Sequence, residues 1–399
     1  MKHLFTSVAM VSALAGCALF LENDNAPADV VEKPIVETSN TPVSTPVEAL
    51  RAYYKTIPDE ILPVAPKGPE LDATKPISRV VFGSCLDEDL EAPALNSMAS
   101  EGGDVVLLIG DNIYADVKDG AYHENGPDLE GVRAGYEALA KMPEFVQLRE
   151  TTPMLVTWDD HDYGANDNGG EFLFKEFSER IYERFWGLED TDVADHPGVY
   201  TSVMTGPDGQ RLQLIVTDTR FFRTELTPTD EYGAKGKERY LPSQDPNQNM
   251  LGDAQWAWLE EELKKPADLR LFVSSIQVIP TVHGWEAWSS MPKERERLFD
   301  LLKETGATNT VFLSGDRHTA FLYNDEDNTV GPLREITASS INKSFADNPV
   351  SDEVDAKQSG DGYTFTNYGV IDIDWESKTV TLSVKDDYGH VKNALSFDF

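Results

Sequence analysis

The chain of 399 residues carries 34 Lys and Arg against 70 Asp and Glu, a formal charge of -36. So acidic a molecule repels nucleic acid and other polyanions at long range unless bound cations invert the local field, so nucleic acid is not an expected partner. Hydrophobic residues make up 40% of the chain, enough for a substantial core in one large domain or two ordinary ones.

Lys2 and His3 precede the apolar run LFTSVAMVSALAG, which is too short to span a bilayer as a mature helix and reads as an export signal. Its end, LAGC from Leu14 to Cys17, resembles the lipobox of bacterial lipoproteins. That resemblance implies cleavage before Cys17 and lipidation of Cys17. Because Ala18 and Leu19 follow, it also implies an outer-membrane anchor facing the periplasm or the cell exterior. Residues 1–17 are therefore expected as a lipoprotein signal peptide. Residues 18–46, rich in Pro, Glu, Thr and Ser, are expected as a disordered tether, because they bury too little apolar surface to offset chain entropy. Residues 47–74 read as a linker or short helix and 75–399 as a single folded domain. With Cys17 lipidated, Cys85 has no disulfide partner within the chain, which leaves a buried inert thiol or a metal-bound thiolate.

From residue 79 onward six apolar runs each end in polar residues: RVVFGSC (79–85), DVVLLIGDN (104–112), PMLVTWDDHD (153–162), LQLIVTDTR (212–220), LRLFVSSIQ (269–277) and NTVFLSGDRH (309–318). Runs of this length without strict alternation predict strands buried on both faces. Helices fall between them. DAQWAWLEEELKK (253–265) has Asp253 as its expected N-cap and Trp256, Leu259 and Leu263 as an apolar stripe, and PKERERLFDLLKETG (292–306) starts at Pro292 and stops at Gly306. YGVIDIDW and KTVTLSV read as two closing strands. In open α/β sheets function gathers beyond the carboxyl ends of the strands, so one site is expected to collect Cys85, Asp111, Asp160, His161, Arg220, Asp316 and His318.

These are metal-ligating residue types. Oxygen-rich clusters favour Ca²⁺, Mg²⁺ or Mn²⁺, a carboxylate can bridge two cations, and a two-metal site activates water while neutralising phosphoester oxygens. FGSC, GDNIYAD, TWDDHDYGANDNG, DTRFFR, the LGDAQWAWL helix and SGDRH together resemble the PhoD-like alkaline phosphatase family, within the wider calcineurin-like and purple acid phosphatase metallophosphoesterase group. The likeness runs over roughly residues 77–385. It implies a four-layer α/β/β/α sandwich and hydrolysis of phosphate monoesters or diesters by a metal-activated hydroxide, with Fe³⁺ and one or two Ca²⁺, other divalent ions remaining open. On the same likeness Cys85 and Tyr114 are Fe³⁺ ligands, Asp111 bridges to calcium, Asp160 binds the second metal, and Asp316 and His318 match the terminal GHxH motif of the wider group. Asn112, Asn166 and Asp167 are metal ligands or supports of the ligand loop.

Two departures weigh against the common binuclear iron or zinc chemistry of the wider group: GSC replaces its first DxH motif, and Ser275 or Gln277 stands where a histidine would close the LRLFVSSIQ strand. His161 is read as a phosphate contact or the acid for the leaving alkoxide, or else as an orienter of a carboxylate. Arg220 is read as a phosphate clamp or a buried partner of Asp218. His283 is a candidate pocket residue beside Trp285 and Trp288. Neither a GxSxG elbow, a GxxxxGKS/T loop, an HExxH helix nor a CxxC pair occurs. The expected function is a secreted, lipid-anchored phosphatase acting on a small phosphoester. The alternatives are a phosphodiesterase or phospholipase-like enzyme, with loop 233–251 and segment 283–291 building a different pocket, or a non-catalytic calcium-binding surface lipoprotein.

Overall fold

A computed structural model describes residues 45–118, 121–123, 125–346 and 353–399. The expected signal peptide, Cys17 and all but the last two residues of the expected tether lie outside the described residues. In chain order the strands are β1 (Arg79–Gly83), β2 (Val105–Ile109), β3 (Val117–Lys118), β4 (Ala121–Tyr122), β5 (Met154–Thr157), β6 (Thr201–Thr205), β7 (Leu212–Val216), β8 (Leu269–Val273), β9 (Thr310–Ser314), β10 (Phe321–Asp325), β11 (Leu333–Thr337), β12 (Asn367–Asp374), β13 (Thr379–Asp386) and β14 (Val391–Asp398). The helices are α1 (Pro46–Tyr54), α2 (Pro93–Ser100), α3 (Glu130–Leu139), α4 (Pro143–Thr151), α5 (Asp160–Tyr163), α6 (Lys175–Trp186), α7 (Gly252–Leu263) and α8 (Pro292–Thr305).

One six-stranded sheet runs β14-β13-β12-β1-β2-β5 and the other β10-β11-β9-β8-β7-β6. In the first, β1, β2 and β5 are parallel and β12 joins β1 antiparallel, with Val80 opposite Ile371. In the second, β7, β8, β9 and β11 are parallel, flanked by antiparallel β6 and β10.

Alternation of side chains along each strand builds three cores. Val80, Phe82, Leu107 and Ile371 of the first sheet meet Leu214, Leu271, Val311 and Ile336 of the second in a core between the sheets. The opposite side chains of the first sheet, such as Val81, Val106 and Leu108, pack with Leu95, Tyr136, Phe145 and Phe185 of the helices over it. Those of the second, Ile215 and Phe272, pack with Trp256, Leu259 and Leu298 of α7 and α8. This is the four-layer α/β/β/α sandwich expected from the sequence.

All six apolar runs form strands. The helix expected from residue 253 starts at Gly252, with Asp253 in its first turn and no side-chain cap, a correction to the N-cap expectation. Pro292 opens α8 and Gly306 closes it at φ 73°, as expected. The short helix expected in segment 47–74 is α1, which starts at Pro46, at the end of the expected tether; Thr45 caps it through a capping box with Glu48, and Tyr54 stacks on Phe177 at 4.4 Å. Among the described residues no helix is long and apolar enough to cross a membrane.

Candidate metal centre and active-site cavity

Polar turns after β1, β2, β5 and β9 converge at one end of the sandwich. Gly110 ends β2 at φ 113°, and a Cβ there would lie 2.6 Å from that of Asp159, so only glycine lets these two turns approach. Cys85, Asp111, Asp316 and His318 themselves hold φ between 50° and 66°, a left-handed backbone that costs energy in non-glycine residues and aims each side chain inward.

Cys85, Asp111 and His318 each offer a ligand atom within 4.8 Å of the others, as do Asp111, Asp160 and His161, and Asp159, Asp160 and Asp316. Asp111 thus belongs to two adjoining groups and Asp160 to two. Cys85 Sγ lies 3.4 Å from Asp111 Oδ2, and Tyr114 Oη lies 3.2 Å from the same oxygen and 3.4 Å from His318 Nε2. His318 Nδ1 is 2.6 Å from the carbonyl of Lys343, which can only accept, so this nitrogen carries the proton and Nε2 keeps its lone pair. Burial pulls the His318 pKa down to about 4, which keeps the ring neutral as a ligand must be.

Burial, and then the charges of Asp160 and Cys85, push Asp111 well above the usual carboxylate range, and burial drives Cys85 up to about 11. Burial and the charge of Asp159 likewise raise Asp316. Asp159 Oδ2 and Asp160 Oδ1 are buried without a hydrogen-bond partner. Buried carboxylates that outnumber their cationic partners need added positive charge, and the mixed sulfur, nitrogen and oxygen donors fit transition-metal binding beside an oxygen-rich position. The residues therefore fit metal ions.

His161 Nδ1 is 2.5 Å from Asp116 Oδ1, while Asp116 Oδ2 accepts from Asn166 N–H at 2.9 Å. Burial opposes the imidazolium, but the charge of Asp160 and the bond to Asp116 outweigh it and raise the His161 pKa to about 9. Asp160 is pulled the other way: burial would raise it, yet His161, Arg220 and the Asp167 N–H bring it below the usual range.

A cavity of about 440 Å³ opens over this floor, lined by Asp160, His161, Asn166, Asp316 and His318, with Tyr122, Lys235, Arg239, Trp285, Arg317 and Phe345 among its walls. Arg220 does not line it. The side chain is fully buried, with Nε 2.5 Å from Asp159 Oδ1 and Nη2 within ion-pair reach of Asp159 and Glu286, while Arg223 Nη2 reaches Glu286 at 2.8 Å. Its backbone N–H, not its guanidinium, meets Asp218 at 2.8 Å. A phosphate clamp needs free donors facing the cavity, and the donors of Arg220 are taken up by the buried carboxylates of Asp159 and Glu286, the latter itself part of the cavity lining.

Asn112 bonds the Thr157 carbonyl and Asp162, and Asp167 accepts from Arg239 at 2.7 Å and Tyr240 at 2.6 Å, so both support the loop rather than join a ligand group. Asn166 lines the cavity. His283 does not: it is buried against Gln277 at 3.0 Å, and Trp288 is buried on Ser274, whereas Trp285 is a wall residue. Sequence reasoning did not assign the role of Asp116, though it stands within GDNIYAD, nor that of Ser339, whose Oγ lies 3.2 Å from Cys85 Sγ.

A four-layer α/β/β/α sandwich with a shared-carboxylate cluster at its strand ends defines a protein of the α/β class with a candidate metal site. Residues 81–384 match the PhoD-like phosphatase family, and the chain belongs to that family. It is 24% identical over 304 residues to alkaline phosphatase D of Bacillus subtilis (strain 168), an alignment covering 64% of this chain and 48% of that protein. The chain thus spans about half the length of that curated relative. It also superimposes on a solved structure of PhoD with a TM-score of 0.61 at 18% identity, over 83% of this chain and 70% of that one.

Proposed function

We propose that the protein is a metal-dependent phosphoric ester hydrolase acting on small mono- and diesters, and that the Asp116–His161 pair is its proton donor. The observation that carries this is the 2.5 Å contact that fixes His161 Nδ1 on a buried carboxylate at the floor of a cavity beside the ligand groups. Cys85, Asp111, Tyr114 and His318 would hold one ion, which we assign as iron on the strength of its sulfur and phenol donors. Asp111, Asp160 and Asp316 would hold a harder ion such as calcium. When bound, such ions neutralise phosphoryl oxygens and acidify the attacking water.

The chain's own residues supply the rest. Asp116 holds the imidazole in one orientation and stabilises its charged form, leaving Nε2 to give a proton to the leaving oxygen as its bond to phosphorus breaks. Arg220 acts behind the site, pinning Asp159 beside Asp160 so that the Asp160 carboxylate stays fixed. The cavity is larger than a phosphate group requires, which favours substrates with a second ester substituent and supports diesterase activity beside monoesterase activity. We retain the reading of residues 1–17 as an export signal and Cys17 as the lipid-bearing residue of an outer-membrane protein. Metabolic labelling with a fatty acid, abolished by Cys17→Ala, is its test.

Metal-replete protein should hydrolyse p-nitrophenyl phosphate or its bis ester, and failure on both would overturn the hydrolase reading. His161→Gln should lose about 10²–10⁴-fold on alkyl esters, whose alkoxide needs the proton, and much less on p-nitrophenyl esters, whose anion leaves unaided. Equal losses on both would remove His161 from the acid role.

A further inference from the structure

Five rings adjoin one another in series at the cavity, four of them lining it and Tyr114 lying beneath. Tyr122 lies parallel to His161 at 5.8 Å and 4°, and His161 meets Tyr114 at 4.3 Å. Tyr114 meets His318 at 6.0 Å, and His318 stacks on Phe345 at 4.1 Å and 23°. The inner three are buried, whereas the two outer rings are 59% and 41% exposed. Tyr122 and Phe345 are therefore the exposed members of the series, each an open aromatic plate leaning on a different histidine of the site.

Both plates are anchored. Tyr122 pairs with Val117 in the β3–β4 hairpin, and the next residue, His123, donates its N–H to the Asp116 carbonyl at 2.6 Å. Phe345 N–H donates to the His318 carbonyl at 3.3 Å, two residues after the Lys343 carbonyl that holds the His318 ring. The segments that carry the two plates are thus tied by separate backbone bonds to Asp116, the partner of His161, and to His318 itself. Aromatic rings left open to water on a surface this acidic lose apolar burial, and a flat ligand face would recover it together with a favourable ring–ring geometry.

We propose that, given the hydrolase reading above, the site selects phosphoesters whose leaving alcohol carries a planar aromatic ring, received against one of the two exposed plates of the cavity wall, Tyr122 beside His161 or Phe345 beside His318. The receiving plate determines specificity and takes no part in bond breaking.

The test pairs 3-phenylpropyl phosphate with 3-cyclohexylpropyl phosphate, whose alcohols leave equally well and whose rings are of similar size; the cyclohexyl ring is the more apolar, so a phenyl preference reports planarity and not hydrophobicity. Metal-loaded wild type should favour the phenyl ester in kcat/KM by roughly tenfold, the scale of one ring-stacking contact. Tyr122→Ala or Phe345→Ala should lower the phenyl ester's kcat/KM more than the cyclohexyl ester's and so reduce that preference, and where Tyr122 is the plate Tyr122→Phe should restore it. Both positions are exposed, so the variants leave the core intact.

Calorimetry with the uncleavable 3-phenylpropylphosphonate and 3-cyclohexylpropylphosphonate decides the matter even without turnover. If neither ester is hydrolysed, the hydrolase reading fails, but a phenyl preference in binding that either alanine variant loses still supports an aromatic plate. No planar preference in wild type, or one that both alanine variants keep, overturns the inference.

Discussion

Replacing Arg220 with methionine is expected to destabilise the fold by about 3–5 kcal/mol, the usual consequence of removing one partner from a buried ion pair. The structure gives reason for the full effect. The Arg220, Asp159 and Glu286 side chains are 0%, 1% and 1% exposed, so water cannot replace the lost charge. Glu286 keeps Arg223 at 2.8 Å, but Asp159 is left with only the Ser275 hydroxyl at 2.6 Å as a side-chain partner. Most of the loss should therefore sit at Asp159, and adding Asp159→Asn to the methionine variant should recover part of it, because the two effects share one interaction. Urea unfolding at fixed metal concentration, with an unchanged slope, is the assay. A cost under about 1 kcal/mol with a collapse of turnover would refute this reasoning and return Arg220 to the phosphate-clamp role.

Three further outcomes are expected. Gly110→Ala should lose at least about 2 kcal/mol, since its φ of 113° disfavours a side chain and the new methyl would collide with Asp159; near-neutral unfolding data would contradict that packing. Glu179 accepts a hydrogen bond from Gly198 N–H, and burial, only partly offset by that bond, raises its pKa to about 8. A raised acid contributes stability fully present below its unfolded pKa and lost as pH rises through 8. Glu179→Gln should therefore match wild type near pH 4 and exceed it by about 2–4 kcal/mol at pH 9, and melting curves parallel across that range would exclude the effect. Chelation should lower the melting midpoint by several degrees and metal should restore it, because an ion at a hundred times its Kd stabilises the native state by about 2.7 kcal/mol; indifference to both would argue against a metal centre.

Much of the fold could be read from the sequence because the parallel strands are buried on both faces and so appear as plain apolar runs. The strands that escaped reading are polar on one face or in their middle. LREIT contains Glu335, whose carboxylate is satisfied by the Val278 and Ile279 N–H groups and the Ser314 hydroxyl, all distant in sequence. KNALSFD in β14 alternates toward solvent at a sheet edge. The strand-end residues of the site were legible for the same reason as the strands, since the polar turn after each apolar run points to one end of the sheets. Arg220 was not, because the choice between substrate and structure was made by Glu286, sixty-six residues on. The tautomer of His318 was not either, since its partner is a backbone carbonyl, which leaves no mark on side-chain identity.

The order of strands in space also sets an order in time. The second sheet uses strands β6 to β11 without interruption, while the first joins β1, β2 and β5 to β12, β13 and β14 from the far side of that block. During synthesis the second sheet can assemble as its own strands emerge, whereas β1 must wait through nearly three hundred residues for its neighbour β12. A chain stalled before β12 would present the unpaired edge of β1, a template for pairing with another such chain.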